Sequence, residues 1–470
     1  MNAATSYETL IIGAGLAGLT CGLRLAEKGV KVAILEKGET DRYLCNSRIC
    51  GGAFHVSYRD VHEPPEVLMN AMKGKTQNFA RQSFLDVMAN NAGNTARWLR
   101  GKGLRFIKVG DAPHRQTTLA PPIAQKGRDY WHGRGGDVML RTLHAELKKA
   151  GATLLLGTRA LSLRMAGGAC VGVEAEQQGK RVSLDARNVV ISDGGFQANQ
   201  ELLREFVTRE PAKIRQRNAQ TATGDGLTMA RQVGAALVGM KNFYGHPLIQ
   251  DALTNDDLWP FPVMDDLCVA GVMVDTSGKR FVDEGLGGVY LANHIAGMAD
   301  PLSTIVIYDQ PIWDGPGKAF ITPANPLIVT NGGTVHKGNT ITEIAQKLGL
   351  PAGALEQTIA EYNAALDAGT TAQLSPARST RDIKAWPIRT APFYAARLVA
   401  GITYTMGGIA VDGDSRVLDA NDNPITGLYA AGACTGGLEG GPAVGYVGGL
   451  SKASTTGFCA AEHIAANRAR

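Results

Sequence analysis

Four things are missing from this chain, and each absence removes a class of function. The seven cysteines have no metal-ligand spacing: Cys45 and Cys50 are five apart and the others are isolated. No iron–sulfur set, zinc site or C-x-x-C-H haem attachment is therefore expected. The cysteines read as reduced, buried thiols of a cytoplasmic protein. No apolar run is long enough for a membrane-spanning helix, and no leader is expected ahead of a first strand that begins by about Glu8. Lys and Arg are scattered, and the net charge is only +5 over 470 residues, so no nucleic-acid footprint is present. Arginine, finally, is absent from two long stretches, 281–377 and 417–467.

What is abundant is glycine. Its 58 residues gather in short clusters such as GAGLAG, TGDG, GGLEGG and GYVGG. Clustered glycine marks backbone that turns tightly or approaches a ligand. With 44% hydrophobic residues the chain has core enough for two or three domains.

The clearest local signal is ETLIIGAGLAGLTCGLRLAEKGVKVAILEK. Leu10 to Ile12 read as a buried strand, Leu19 to Lys28 as a helix and Val30 to Leu35 as a second strand. Gly13-Ala14-Gly15-Leu16-Ala17-Gly18 fits G-x-G-x-x-G between strand and helix. Gly13 allows the turn, Gly15 lets backbone N–H groups approach a pyrophosphate, and Gly18 permits close helix–strand packing. Glu36 closes the second strand and suits an adenosine ribose rather than a 2′-phosphate. The fingerprint alone does not choose between FAD and NAD. Later segments do: RNVVISDGGF (187–196) and TGLYAAGA (426–433) both read as strands entering Gly-rich turns, and Leu450 to Ala466 read as a closing helix. A nucleotide-binding half at both chain ends favours a tightly held FAD.

In this layout the sequence resembles the flavoprotein family of fumarate reductases, succinate dehydrogenases, aspartate oxidases, tricarballylate dehydrogenases and 3-ketosteroid dehydrogenases. The matching segments run in family order over nearly the whole chain. They are GAGLAG, Glu36-Lys37, Asn46-Ser47, Gly51-Gly52, Asp193-Gly194-Gly195-Phe196, Thr223-Gly224-Asp225-Gly226, His246-Pro247, Gly278-Lys279-Arg280-Phe281 with Glu284, Pro392-Phe393-Tyr394-Ala395, Thr405-Met406-Gly407-Gly408 and 427–432. The resemblance implies an α/β protein: a Rossmann-like FAD-binding domain, residues 1–240 and 391–470, with an inserted α+β capping domain, residues 241–390. It implies cofactor contacts from Gly13, Ala14, Gly15, Leu16, Ala17, Gly18, Glu36, Lys37, Ser47, Arg48, Gly51, Gly52, Asp193, Gly194, Asp225, Gly432, Gly449 and Leu450. Some relatives attach FAD to a histidine just after a serine. Here Asn46-Ser47-Arg48-Ile49-Cys50-Gly51-Gly52 holds no histidine, so non-covalent FAD is expected.

The departures from the family carry the functional reading. Fumarate-reducing relatives use a proton-donating arginine past the RFxxE segment, a carboxylate-clamping arginine in the C-terminal Gly-rich loop and a histidine before TMGG. Charges of that kind pair a dianion in a closed pocket. Here Gly288 falls about where the first arginine is expected, Tyr446 lies in the arginine-free C-terminal loop, and Tyr404 precedes TMGG. The Gly287-Gly288 pair reads as room for a bulkier ligand. Tyr290, Tyr404 and Tyr446, with His246 of the HP dipeptide, are the catalytic candidates, since a phenol hydrogen-bonds a carbonyl without requiring a negative substrate. Tyr290 equally fits a core position. Arg280 and Glu284 read as an ion pair that holds the cap.

The leading expectation is an FAD-dependent dehydrogenase or reductase that acts on a carbon–carbon bond beside a carbonyl, with hydride passing to flavin N5 and Tyr or His moving the proton. Polycarboxylate chemistry, as in tricarballylate dehydrogenase or fumarate reductase, is the alternative. Arg48, Arg134 and Lys279 are the cations it could call on. A non-enzymatic flavin sensor is the third class. Partners are a small-molecule substrate and a separate electron acceptor or oxygen, and no metal is expected.

Overall fold

A run of apolar residues buried on both faces makes a central parallel strand. The run SYETLII does so as β1 (Ser6–Ile12), followed by α1 (Leu16–Glu27) and β2 (Val32–Leu35). Leu10, Ile11, Ala33 and Ile34 are fully buried. The computed structural model describes residues 6–123, 130–320 and 322–468. The strand expected near 187 is the end of a longer one, β3 (Lys180–Ile191). The first sheet runs Arg416–Leu418, Pro424–Ala430, β3, β1, β2, Thr153–Leu155. Along this path the pairings are parallel except at the edge strand Arg416–Leu418, and the hairpin Thr158–Ala166 and Ala169–Gln177 adds to the first half of β3 antiparallel.

β1 lies between β2 and β3, so the winding direction changes at β1. Ile12 stands in register with Leu35 and Ile191, and Ile191 with Ala430. Four carboxyl ends thus meet on one edge and release Gly13, Glu36, Ser192 and Ala431 there. That crevice is where open α/β sheets bind ligands.

The second sheet is built on one long strand. β4 (Phe243–Ile249) and, past the helix α2 (Gly288–Gly297), β5 (Phe393–Thr405) pair antiparallel. The first half of β5 pairs with Ile305–Asp309 and His336–Gly338, and its second half with β4 and Arg215–Gln216. Residues 393–405, assigned from sequence to the FAD-binding part, are therefore the spine of the sheet that also takes strands from 241–390. Two helices, Ile341–Leu348 and Ala352–Asp367, follow one another, with Pro351 at the N-cap of the second. The chain closes with α3 (Gly449–Ala466), which packs on α1. Among the described residues no helix is long and apolar enough to cross a membrane.

The arginine-free stretch after Arg280 begins and ends in one buried knot. Arg280 donates to Glu284 through Nε at 3.0 Å and Nη2 at 2.5 Å. Glu284 also accepts from the Met273 N–H, and Arg378 Nε lies 4.0 Å from its other oxygen. Arg378 and Glu284 are both fully buried. Asp283 fastens the same turn to Ser379, accepting from its N–H and hydroxyl at 2.9 and 2.6 Å. Removing one partner of such a group leaves an uncompensated charge. Arg280→Met is expected to lower stability by about 3 kcal/mol, read as an earlier midpoint in urea unfolding; an unchanged midpoint would remove the knot as a fastening.

Candidate active site

A cavity of about 710 Å³ opens at the carboxyl edge of the first sheet. One end is the expected cradle. Gly13 sits at φ +94°, and a Cβ there would lie 2.7 Å from the Asp193 Cα. A Cβ on Gly18 would lie 2.0 Å from the Gly13 carbonyl oxygen. Both glycines are dictated by these approaches. Gly15 caps α1 with no side chain over the helix start, leaving first-turn N–H groups for an anion. Ser47 Oγ accepts from the Leu16 N–H at 3.0 Å. Glu36, buried, accepts from the Ala14 and Gly38 N–H groups at 3.0 and 2.8 Å and keeps further lone pairs.

Ala17, Gly51, Gly52, Gly194, Gly432, Gly449 and Leu450 line the same cavity. Its rim is charged, with Asp225 held by Lys37 at 3.5 Å and Arg159 at 3.2 Å. Asp193 accepts from the Gly226 N–H at 2.7 Å, while its other oxygen has no partner among the described residues. Enclosure pushes the Asp193 carboxyl up to about 6. A turn closed to any side chain, a helix start whose N-cap is a glycine and an unmet acceptor fit a dinucleotide such as FAD.

The other end is a tyrosine cluster carried by β4 and β5. Tyr244 stands opposite Tyr404, and His246, two residues on, shares its face. The register slips beside this pair and leaves Thr403 as a bulge on β5. Tyr244 stacks on Tyr446 with ring centroids 4.0 Å apart. Tyr404 donates its hydroxyl proton to the buried Glu439 carboxylate, at 2.9 and 3.0 Å to the two oxygens. Glu439 also accepts from the Val447 and Gly448 N–H groups and from Lys452, whose Nζ lies 3.4 Å away.

His246 lies between two partners: Nδ1 is 2.9 Å from Asp265 Oδ1, and Nε2 is 3.1 Å from the Tyr244 hydroxyl. With Asp265 ionised, Nδ1 carries the hydrogen and Nε2 accepts the Tyr244 proton. Burial pushes Tyr244 up to about 12. Burial, with Glu439 nearby, holds Tyr404 and Tyr446 well above the usual phenol range. All three phenols are therefore neutral donors at ordinary pH.

Three sequence expectations change. Tyr290 is not on the cavity wall. In α2, Val289 belongs to the tyrosine cluster and Tyr290 packs against that cluster without lining the cavity. Tyr290 also packs on His294, ring centroids 4.0 Å apart. The Arg48 side chain does not reach the cavity either. It is fully buried and pairs with Asp137, donating also to the Tyr43 and Asp41 carbonyls at 2.7 Å. It fixes the helix Asn46–Ile49 against Gly135–Lys149. Gly288 leaves no room for a ligand: a Cβ there would lie 1.7 Å from Asp265 Oδ1. The space is filled by the carboxylate that reaches His246.

Tyr244, Asp265, Glu439, Lys452 and Arg217 were not singled out from sequence, yet all but Glu439 line the cavity. Tyr244 was within reach through strand periodicity from His246. Glu439 stood out only as the one charge inside GGLEGG. Nothing local marks the other three. Among the described residues no group of three metal-ligating side chains occurs.

A parallel sheet with this cradle at its switch point defines a flavoprotein oxidoreductase fold. The family described as "FAD binding domain" matches residues 8–445, and the chain belongs to it, within the fumarate reductase and succinate dehydrogenase flavoproteins. An NADH:fumarate oxidoreductase of Klebsiella pneumoniae (strain 342) is 25% identical over 99% of this chain and 48% of that protein; the chain thus spans about half the length of that relative. A vinyl phenol reductase of Lactiplantibacillus plantarum is 25% identical over 93% of this chain and 91% of that one. The solved 3-ketosteroid Δ1-dehydrogenase of Sterolibacterium denitrificans shares the fold, with TM-score 0.74 at 20% identity over 98% of this chain and 100% of that one.

Two outcomes test this geometry. Gly288→Ala overpacks against Asp265 and is expected to cost about 1–3 kcal/mol of unfolding free energy. Asp265→Ala in the same chain should restore most of that loss, and additive losses would refute the contact. Asp193, with its folded pKa raised, favours the fold fully below its unfolded pKa near 4 and loses that contribution as pH rises through about 6. Melting of the FAD-free protein at pH 4 and 7 should therefore show a smaller difference in Asp193→Asn than in the parent.

Proposed function

We propose that this protein desaturates or reduces a carbon–carbon bond adjacent to a carbonyl group of a small-molecule substrate. The observation that carries the reading is the chain Asp265–His246–Tyr244, which ends in the same cavity as the FAD cradle. Bound FAD supplies hydride exchange at its N5. The residues of the chain supply polarisation and proton transfer.

A neutral phenol at Tyr446 suits a hydrogen bond to a carbonyl oxygen, and such a bond strengthens as charge develops there, whereas the one hydroxyl proton of Tyr404 is taken by Glu439. In the oxidative direction Tyr244 passes its hydroxyl proton to His246 Nε2 while its oxygen takes the proton leaving the carbon next to the carbonyl. Asp265 offsets the charge that forms on the imidazole. The reductive direction uses the same atoms in reverse, starting from imidazolium. Glu439, held by Lys452 and two backbone N–H groups, fixes the Tyr404 ring in place.

FAD is held non-covalently in this reading, supported by the lack of histidine from Asn46 to Gly52. Denaturation should release free flavin into the supernatant. Residues 241–390 form the cap, and electrons leave to a separate acceptor or to oxygen.

The decisive measurement is anaerobic bleaching of the flavin by saturated cyclic ketones, offered alongside di- and tricarboxylates. A ketone should bleach the flavin, and Tyr244→Phe should slow the rate at least about 100-fold with flavin content intact. Tyr446→Phe should slow it as well, through lost polarisation. Bleaching by polycarboxylates alone, or unchanged rates in both variants, would overturn the proposal.

A further inference from the structure

Arg217 is a guanidinium on the cavity wall, and its protein contacts leave its charge unanswered. It follows Arg215–Gln216, the short strand beside β5, and its N–H donates to the Ile402 carbonyl at 2.7 Å. Three neighbouring strands therefore bring together Arg217, the bulged Thr403 with Tyr404, and Tyr244 with His246. Arg217 Nε donates to the Pro260 carbonyl at 2.8 Å, and Nη1 donates to Thr403 Oγ1 at 3.0 Å. The guanidinium carbon lies 4.7 Å from the centre of the Phe261 ring. These contacts hold the group rigidly by one edge and one face. All of its acceptors are neutral. Among the described residues no carboxylate forms an ion pair with Arg217, and its Nη2 makes no hydrogen bond.

Several other charges on this wall are paired, while Arg115, the other guanidinium there without an ion pair among the described residues, lies 5.7 Å from the centre of the Phe320 ring. Arg159 pairs with Asp225, and Lys452 with Glu439. Asp265 meets His246. Burial and the nearby Asp265 carboxylate push the Asp266 carboxyl up to about 6, with Arg115 opposing them only in part. A part-enclosed guanidinium without a counter-ion is unfavourable, and its planar donors match a carboxylate.

We infer that Arg217 receives a carboxylate of the substrate, so that the substrate is a carbonyl compound with an anionic end placed beside Tyr404 and Tyr244. Arg217 stands at neither position where relatives were expected to keep their arginines; those positions hold Gly288 and Tyr446. The inference rests on the proposed reading for the placement of the reacting bond, but not for the anion contact itself. Arg217 acts here as a specificity-determining residue, and Phe261 offers the neighbouring apolar surface.

The test uses oxidised holoenzyme and needs no turnover. Benzoate and benzamide, alike in shape and different in charge, are titrated separately against the flavin absorbance spectrum. Benzoate is expected to bind at least about tenfold more tightly than benzamide, and Arg217→Met to erase that preference while flavin content stays at the parent level. Arg217→Lys should retain part of it. If Arg217→Met loses flavin, Arg217→Gln, which keeps a donor toward Thr403, carries the same comparison. Equal binding of the two probes, a preference that survives loss of the guanidinium, or no spectral response to benzoate up to tens of millimolar would overturn the inference. Such a failure leaves the ketone bleaching experiment untouched, so the two readings fall separately.

Discussion

A carboxylate packed where a helix begins governs the chemistry of this site. α2 opens at Gly288, and only a residue without Cβ lets Asp265 stand against that first turn. Asp265 in turn fixes which nitrogen of His246 bears hydrogen, and the free nitrogen faces Tyr244. Each step depends on the one before it. The space beside Gly288, expected from the family resemblance to lie near an arginine, holds the Asp265 carboxylate, and Asp265, His246 and Tyr244 form the proposed proton route.

Much of the FAD half was legible because its determinants are local. In β1–α1–β2 the strand runs, the helical period and the glycine spacing all fall within about thirty residues, and Gly13 and Gly18 are required by contacts inside or next to that unit. The tyrosine half was legible only in part. Tyr404, Tyr446 and His246 lie in segments with a family pattern. Tyr244, Asp265 and Arg217 acquire their meaning from strand pairing and helix placement far apart in the chain. Arg48 was misread for a related reason. The family resemblance placed it among the cofactor contacts, but Asp137, 89 residues on, claims it.

The charges follow one rule in two places. Arg280, Glu284 and Arg378 are withdrawn from solvent and satisfy one another and nearby carbonyls, which is architecture. Glu439 and Lys452 are equally buried, yet their group includes a phenol on the cavity wall. Fastening and function use the same device of mutual compensation, and only the identity of the last member separates them. The long absence of arginine between 281 and 377 then has a physical account: the segment is pinned at both ends by the same knot.

β5 has one more consequence. It completes the sheet built on β4 and 305–309, and its far end is tied to the FAD half, with Phe196 N–H donating to Thr405 Oγ1 at 3.1 Å and Asn46 donating to the Thr403 carbonyl at 2.8 Å. The stretch 241–390, the proposed cap, is therefore not a removable cassette: a chimera that exchanged those residues alone would leave behind the strand their sheet is built on, and Tyr404 with it.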